Sequence, residues 1–128
     1  MLTEADIVEA LRACYDKPPQ FQRVVNIVDL GLIESIALKL DPDAPGAGIP
    51  GVPPRQSLSV TLIPCSPDEE AQAQLGAQMR NRLAGLPELS AVSVRFADSP
   101  EWSVHRISRE GRRVLSLDFP ILNQPGPR

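Results

Sequence analysis

Cysteine is scarce in this chain, and its scarcity excludes several architectures at once. Only two occur among 128 residues, Cys14 and Cys65, and no C-x-x-C pair is present. A complete four-ligand zinc or cluster site within one chain is therefore not expected, and two cysteines, one of them expected inside a helix, make no disulfide scaffold. Any metal bound here must have few protein ligands or share them between chains. Histidine occurs once, at His105. No apolar run approaches the roughly 20 residues that a membrane helix requires. Basic residues number 13 against 16 acidic ones and are scattered outside a short C-terminal cluster. That leaves no broad surface for neutralising phosphates, so neither nucleic acid nor membrane is expected as a partner. The start, Met1 to Asp6, has neither the basic flank nor the apolar core of a signal peptide, and a cytoplasmic location is expected.

Catalytic signatures are equally sparse. Gly46 and Gly48 lie in a proline-rich stretch instead of joining a strand to a helix, so there is no phosphate-binding loop. A Cys–His pair with no third group or oxyanion donor is weak ground for hydrolysis, and no intrinsic turnover is expected.

What the chain does contain is the patterning of one α+β domain, expected over residues 1–122 with a flexible tail at 123–128. Thr3 followed by Asp6 opens a helix whose apolar positions are Ile7, Val8, Leu11 and Tyr15; it should end near Cys14 to Asp16, before Pro18-Pro19. An irregular connector follows, from Lys17 to Val25. Strands are expected over Leu32–Leu40, Ser57–Ile63 and Ser90–Phe96, where apolar and polar residues alternate. Between the first two lies a loop, 41–55, with five prolines and three glycines. It is expected to be mobile and reads first as a tolerated insertion. A long helix should start with Ser66 as cap, Pro67 at the first helical position and Glu69 closing a capping box, and should stop at a left-handed Gly85. A shorter one is expected from about Ser108 to Val114.

The order helix, strand, strand, helix, strand, helix implies two layers with a small mixed three-stranded sheet. Its core should pack Ile36, Leu38, Leu58, Val60, Val92 and Val94 against Leu11, Leu75 and Met79. The first two strands form an antiparallel pair and the helix returns the chain, so the third strand runs parallel to the second. Asp29, Cys65 and the segment from Asp98 to His105 should then converge at one sheet edge, with the proline-rich loop at the other.

At that edge the residues Val25-Asn26-Ile27-Val28-Asp29-Leu30-Gly31-Leu32-Ile33 closely resemble the "VNIVDLGLI" segment of the metal–sulfur cluster assembly factors. This MIP-eighteen-like family includes the SufT and PaaD proteins. The resemblance continues through Val60-Thr61-Leu62, the turn at Cys65, Pro100-Glu101-Trp102-Ser103 and Ile107-Ser108-Arg109-Glu110, in order along nearly the whole chain. Two features depart from it. The family's Asp-Pro-Glu-Ile turn is replaced by Asp16-Lys17-Pro18-Pro19-Gln20, so its glutamate has no match. The cysteine turn, Ile63-Pro64-Cys65-Ser66-Pro67, is shorter than in the family, so the family cysteine aligns with Cys65 or with Ser66.

The resemblance implies an accessory factor in iron–sulfur cluster assembly or delivery, whose partners are the assembly machinery and apo-protein clients. Cys65 is the expected ligand for transiently bound iron or an iron–sulfur cluster, with Asp29 and Thr61 beside it. Stable cluster binding through one thiolate per chain requires a homodimer or an external thiol. A helix start beside Cys65 favours its thiolate, while Asp68, Glu69 and Glu70 oppose it. Structural roles stand alongside each: Asp29 as a turn-fixing acceptor, Thr61 as a solvent-facing strand residue, His105 as an exposed surface residue, Cys14 as core packing. The rival functions are a metal-free protein-binding adaptor, a maturation factor for a multicomponent oxygenase, less favoured because the PaaD proteins add a cysteine-rich C-terminal segment and Leu115 to Arg128 holds no cysteine, and, last, a cysteine-dependent hydrolase.

Overall fold

The chain alternates short helices with a sheet that only one layer of helix covers. The structure, a computed structural model, describes residues 1–115. The tail expected at 123–128 and the expected domain end at 122 lie outside the described residues. The elements are α1 (Glu4–Leu11), β1 (Tyr15–Asp16), β2 (Val25–Asn26), α2 (Ile27–Leu30), β3 (Ile33–Leu40), β4 (Gln56–Leu62), α3 (Glu69–Ala84), β5 (Leu89–Phe96), a 3-10 turn at Val104–Arg106, and α4 (Arg109–Leu115). The three long strands form one sheet in the order β3-β4-β5, antiparallel then parallel. This is the mixed α+β arrangement expected from the alternation of patterns.

The core forms where the alternating faces meet the helices. Leu58, Val60 and Leu62 of β4 are buried with Leu75, Met79 and Leu83 of α3 and Ile7, Ala10 and Leu11 of α1. Ile36, Leu38, Val92 and Val94 pack on this core but stay half-buried. The central strand is shielded by neighbours on both sides, whereas β3 and β5 are sheet edges.

Three local expectations are corrected. α1 ends at Leu11, where Ala13 and Cys14 donate three residues back to Ala10 and Leu11, tightening the last turn. The chain then extends because Tyr15 and Asp16 pair with Asn26 and Val25. Cys14 therefore lies past the helix, although it is fully buried in the core as expected, and Tyr15 is exposed instead of belonging to the buried stripe. α3 is capped by Asp68, which accepts from Glu70 N at 3.0 Å; the Ser66 hydroxyl accepts from Asp68 N in the preceding turn. Asp is an equally good cap, and Ser66 is already held by Gln72, whose amide donates to the Ser66 carbonyl. Gly85 closes α3 with φ of −76°, right-handed and not left-handed, its N–H reaching the Arg82 and Leu83 carbonyls.

The loop 41–55 is a run of turns held to the sheet at its two ends. Successive turns bond Ala44 to Asp41, Ala47 to Ala44, Ile49 to Gly46 and Val52 to Ile49. Its two ends join through Asp41 N and Arg55 O at 2.9 Å. Ser90 then anchors the Asp41 carboxylate, while the Arg55 guanidinium donates to the Pro87 and Leu89 carbonyls.

The register decides where function can sit. Ile33, Leu62 and Phe96 face one another across the sheet, and so do Leu40, Gln56 and Leu89 at its other end. The first end gathers the start of β3 and the exits of β4 and β5. The second carries the proline-rich loop.

Val60 is fully buried between Ile36 and Val94. Val60→Asp should abolish cooperative thermal unfolding or cost about 3 kcal/mol or more, because a lone buried carboxylate has no partner here. Unchanged thermal stability would refute this core.

Candidate functional site

The site begins with one helical turn. Asn26 caps α2, accepting from Asp29 N at 2.9 Å and donating its amide to Asp29 Oδ2 at 2.6 Å. Gly31 ends the turn with φ of +75°, and a Cβ there would lie 2.3 Å from the Arg106 carbonyl oxygen. Glycine is required both for the left-handed backbone and for this approach. Ser108 caps the following helix from the other side. Its hydroxyl donates to Asp29 Oδ1 at 2.7 Å and accepts from Gly111 N, and its backbone N–H meets the Asp29 carbonyl at 2.7 Å. Arg12, just past α1, completes the set at 3.5 Å from Asp29 Oδ2.

Asp29 is thus a buried acceptor joining α1, α2 and α4. Burial pushes its carboxyl up, but the hydrogen bonds from Ser108 and Asn26 and the Arg12 charge outweigh that and hold it below the usual carboxylate range.

Beyond this hub lies an open cleft of about 570 Å³ at the same sheet end, lined by Ile63 to Pro67, Glu69, Gln72, Ala97, Asp98, Glu101 and Trp102. Cys65 and the Asp98–Trp102 segment meet there, as the strand order implied. Asp29 does not line it; its oxygens face Asn26, Ser108 and Arg12. The two are linked indirectly, since the Trp102 indole donates to the Leu30 carbonyl at 2.7 Å. His105 is exposed and outside the lining. Thr61 is buried at 9% exposure, although its face of the sheet was expected to meet solvent; the Arg95 guanidinium reaches its hydroxyl at 3.5 Å.

Cys65 is 8% exposed, and its thiol donates to Asp16 Oδ2 at 3.4 Å. Burial, then the Asp16 charge, then this hydrogen bond push the thiol up to about 12, against smaller pulls from a backbone N–H and Lys17. The opposition to a thiolate therefore comes from Asp16 more than from the acidic first turn of the helix. Cys65 also stands three positions before the Asp68 cap, short of the helix terminus itself.

Asp16 and Trp102 were not singled out as site residues from the sequence. Asp16 is the residue matching the aspartate of the family's Asp-Pro-Glu-Ile turn, and that match was the available signal. Its placement depends on Gln78 of α3, whose side-chain amide accepts from Tyr15 N at 2.8 Å and donates to Tyr15 O at 3.1 Å. Gln78 behaves as a strand neighbour for β1, fixing Asp16 over the sulfur.

Fold and cleft together define a class: a two-layer α+β domain whose three-stranded sheet collects its chemical groups at one end. Two solved structures share the fold. A domain of unknown function, DUF59, from Bacillus anthracis aligns with a TM-score of 0.66 at 23% identity, over 89% of this chain and 92% of that one. A conserved hypothetical protein from Thermotoga maritima aligns at 0.60 and 17% identity, over 88% and 93%. The chain therefore has the fold of a DUF59 domain. No protein-family model matches it, and no curated protein matches it.

Two measurements check the electrostatics. Asp16→Asn should speed alkylation of Cys65 by iodoacetamide at pH 8 by on the order of tenfold, one unit of thiol pKa being tenfold in thiolate; an unchanged rate would leave burial as the sole cause. The depressed Asp29 group stabilises the fold above its unfolded value near 3.8, and that contribution is lost as pH falls through its folded value. Asp29→Asn should lower the melting temperature at pH 7, costing about 1–3 kcal/mol. As pH falls through that folded value its curve should approach that of the wild type.

Proposed function

We propose that this protein is an accessory factor in iron–sulfur cluster assembly, handling iron or a cluster as transient cargo at Cys65 and docking the apo-protein that receives it. The observation that carries the reading is the pairing of Cys65 with Asp16 at the wall of an open cleft, on the fold and beside the segment where the resemblance to cluster assembly factors is strongest.

The donor set suits a carrier better than a storage site. A sulfur and a carboxylate oxygen 3.4 Å apart match the ~3.5 Å between S and O donors on one tetrahedral ion, taking metal–ligand lengths of about 2.3 and 2.0 Å. Among the described residues no group of three His, Cys, Asp or Glu side chains stands close enough to enclose an ion. Two donors leave the remaining coordination positions to a second chain, a free thiol or the client. Binding must also displace the thiol proton, so retention should strengthen as pH rises.

A metal-free adaptor is the competing reading, and the protonated, carboxylate-shielded thiol favours it. No turnover is expected under either reading. Cys65→Ser should keep the fold at a cost of about 1 kcal/mol, because Cys65 is buried in the core cluster, and should weaken iron or cluster retention and client maturation by roughly tenfold to a hundredfold. Anaerobic reconstitution with iron and sulfide, followed by maturation of an apo-client, measures both. Full maturation by the Cys65 variant would leave the adaptor.

A further inference from the structure

We infer that the cleft beside Cys65 is a docking groove for an extended cationic segment of the client polypeptide, which deepens the docking part of the function proposed above and rests on it. The lining holds three carboxylates, Glu69, Asp98 and Glu101, and no lysine or arginine. None of the three belongs to an ion pair among the described residues, whose four ion pairs lie elsewhere. The lining charge is therefore of one sign and unpaired, although Lys17 acts on Cys65 from outside it, and such an arrangement steers an oppositely charged partner.

Two observations favour a polypeptide over a point cation. The carboxylates are spread along the lining, and no three acidic, cysteine or histidine groups come together around one position. Charges dispersed in this way complement charges dispersed along a chain. Between them Pro64, Pro67, Ala97 and the half-buried Trp102 set apolar patches among the polar Ser66 and Gln72. The Trp102 indole N–H is already satisfied by the Leu30 carbonyl, so the ring is fixed before a ligand arrives. A pre-positioned tryptophan edged by carboxylates offers apolar area and a π-face to alternating apolar and lysine or arginine side chains. Such a segment would lie beside Cys65, where cargo would pass.

The single tryptophan of the chain is also the reporter. The full-length protein is titrated with an acetylated, amidated peptide of alternating lysine and valine, and separately with its glutamate–valine counterpart, while Trp102 emission is followed. The lysine peptide should change the emission saturably, with affinity falling as salt rises, and the glutamate peptide should not. The variant Glu69→Gln/Asp98→Asn/Glu101→Gln should bind the lysine peptide about tenfold more weakly and with a flatter salt dependence, at modest worth per exposed charge. A control, Glu4→Gln/Asp43→Asn/Glu88→Gln, makes the same change in net charge away from the groove and should bind like the wild type. Equal binding of both peptides, equal weakening by the two triple variants, or silence from Trp102 would overturn the inference. So would a groove variant that loses Co²⁺ binding and keeps the peptide, since the rim would then serve an ion.

Cys65→Ser separates this inference from the reading beneath it. That variant should still bind the lysine peptide. A groove that fails to bind peptide while Cys65→Ser abolishes maturation overturns the groove and leaves cargo handling in place. Peptide binding together with full maturation by the Cys65 variant supports the groove and removes the cargo.

Discussion

A single buried carboxylate organises the cleft end of this molecule. Asp29 accepts from Asn26 and Ser108 and faces Arg12, so three elements distant in sequence share one pair of oxygens. A buried charge is costly unless its lone pairs are met. Here they are met only when α1, α2 and α4 sit in one arrangement. The wall of the cleft hangs from the same turn: Trp102 bonds the Leu30 carbonyl and Arg106 the Gly31 carbonyl. Aspartate is thus needed at position 29 for the geometry of the site, whether or not its oxygens meet a ligand.

The sulfur shows a tension of a different kind. Burial and the neighbouring Asp16 disfavour a free thiolate, which makes Cys65 a poor nucleophile near neutral pH. Toward a cation the same carboxylate acts with the opposite sign, since it adds negative charge and an oxygen donor where the metal would sit. The cargo role proposed above rests on that change of sign, and the adaptor reading on the protonated thiol.

Much of the architecture could be read from the residues because it follows from alternation and loop logic. The three strands, their mixed order and the gathering of Cys65 with the Asp98–Trp102 segment all follow from period-two patterns and the return path of a helix. The β1–β2 ladder was not legible, because a two-residue strand has no periodicity and rests on its pairing with Val25 and Asn26 and on Gln78, 63 positions from Tyr15. Asp16 was missed as a site residue for that reason. Asp29 was expected beside Cys65, but sequence order could not tell that its oxygens turn toward Ser108 and away from the cleft. The α3 boundary slipped because Ser66 and Asp68 are both competent caps, and only the placement of Gln72 separates them.

The proline-rich loop leaves the sheet at Asp41 and rejoins it at Arg55, and the backbone bond between those two residues closes the excursion at its base. The strand pair β3–β4 accordingly behaves as a hairpin whose effective turn is that closure. Residues 42–54 form a cassette, insulated from the register on either side. Since the closure entropy of a flexible loop grows only slowly with length, the cassette can lengthen, shorten or change composition without asking anything of the core. It stands at the sheet end opposite Cys65, so such variation leaves the cleft untouched. The domain thereby divides its surface into one end constrained by the packing beneath it and another free to diverge.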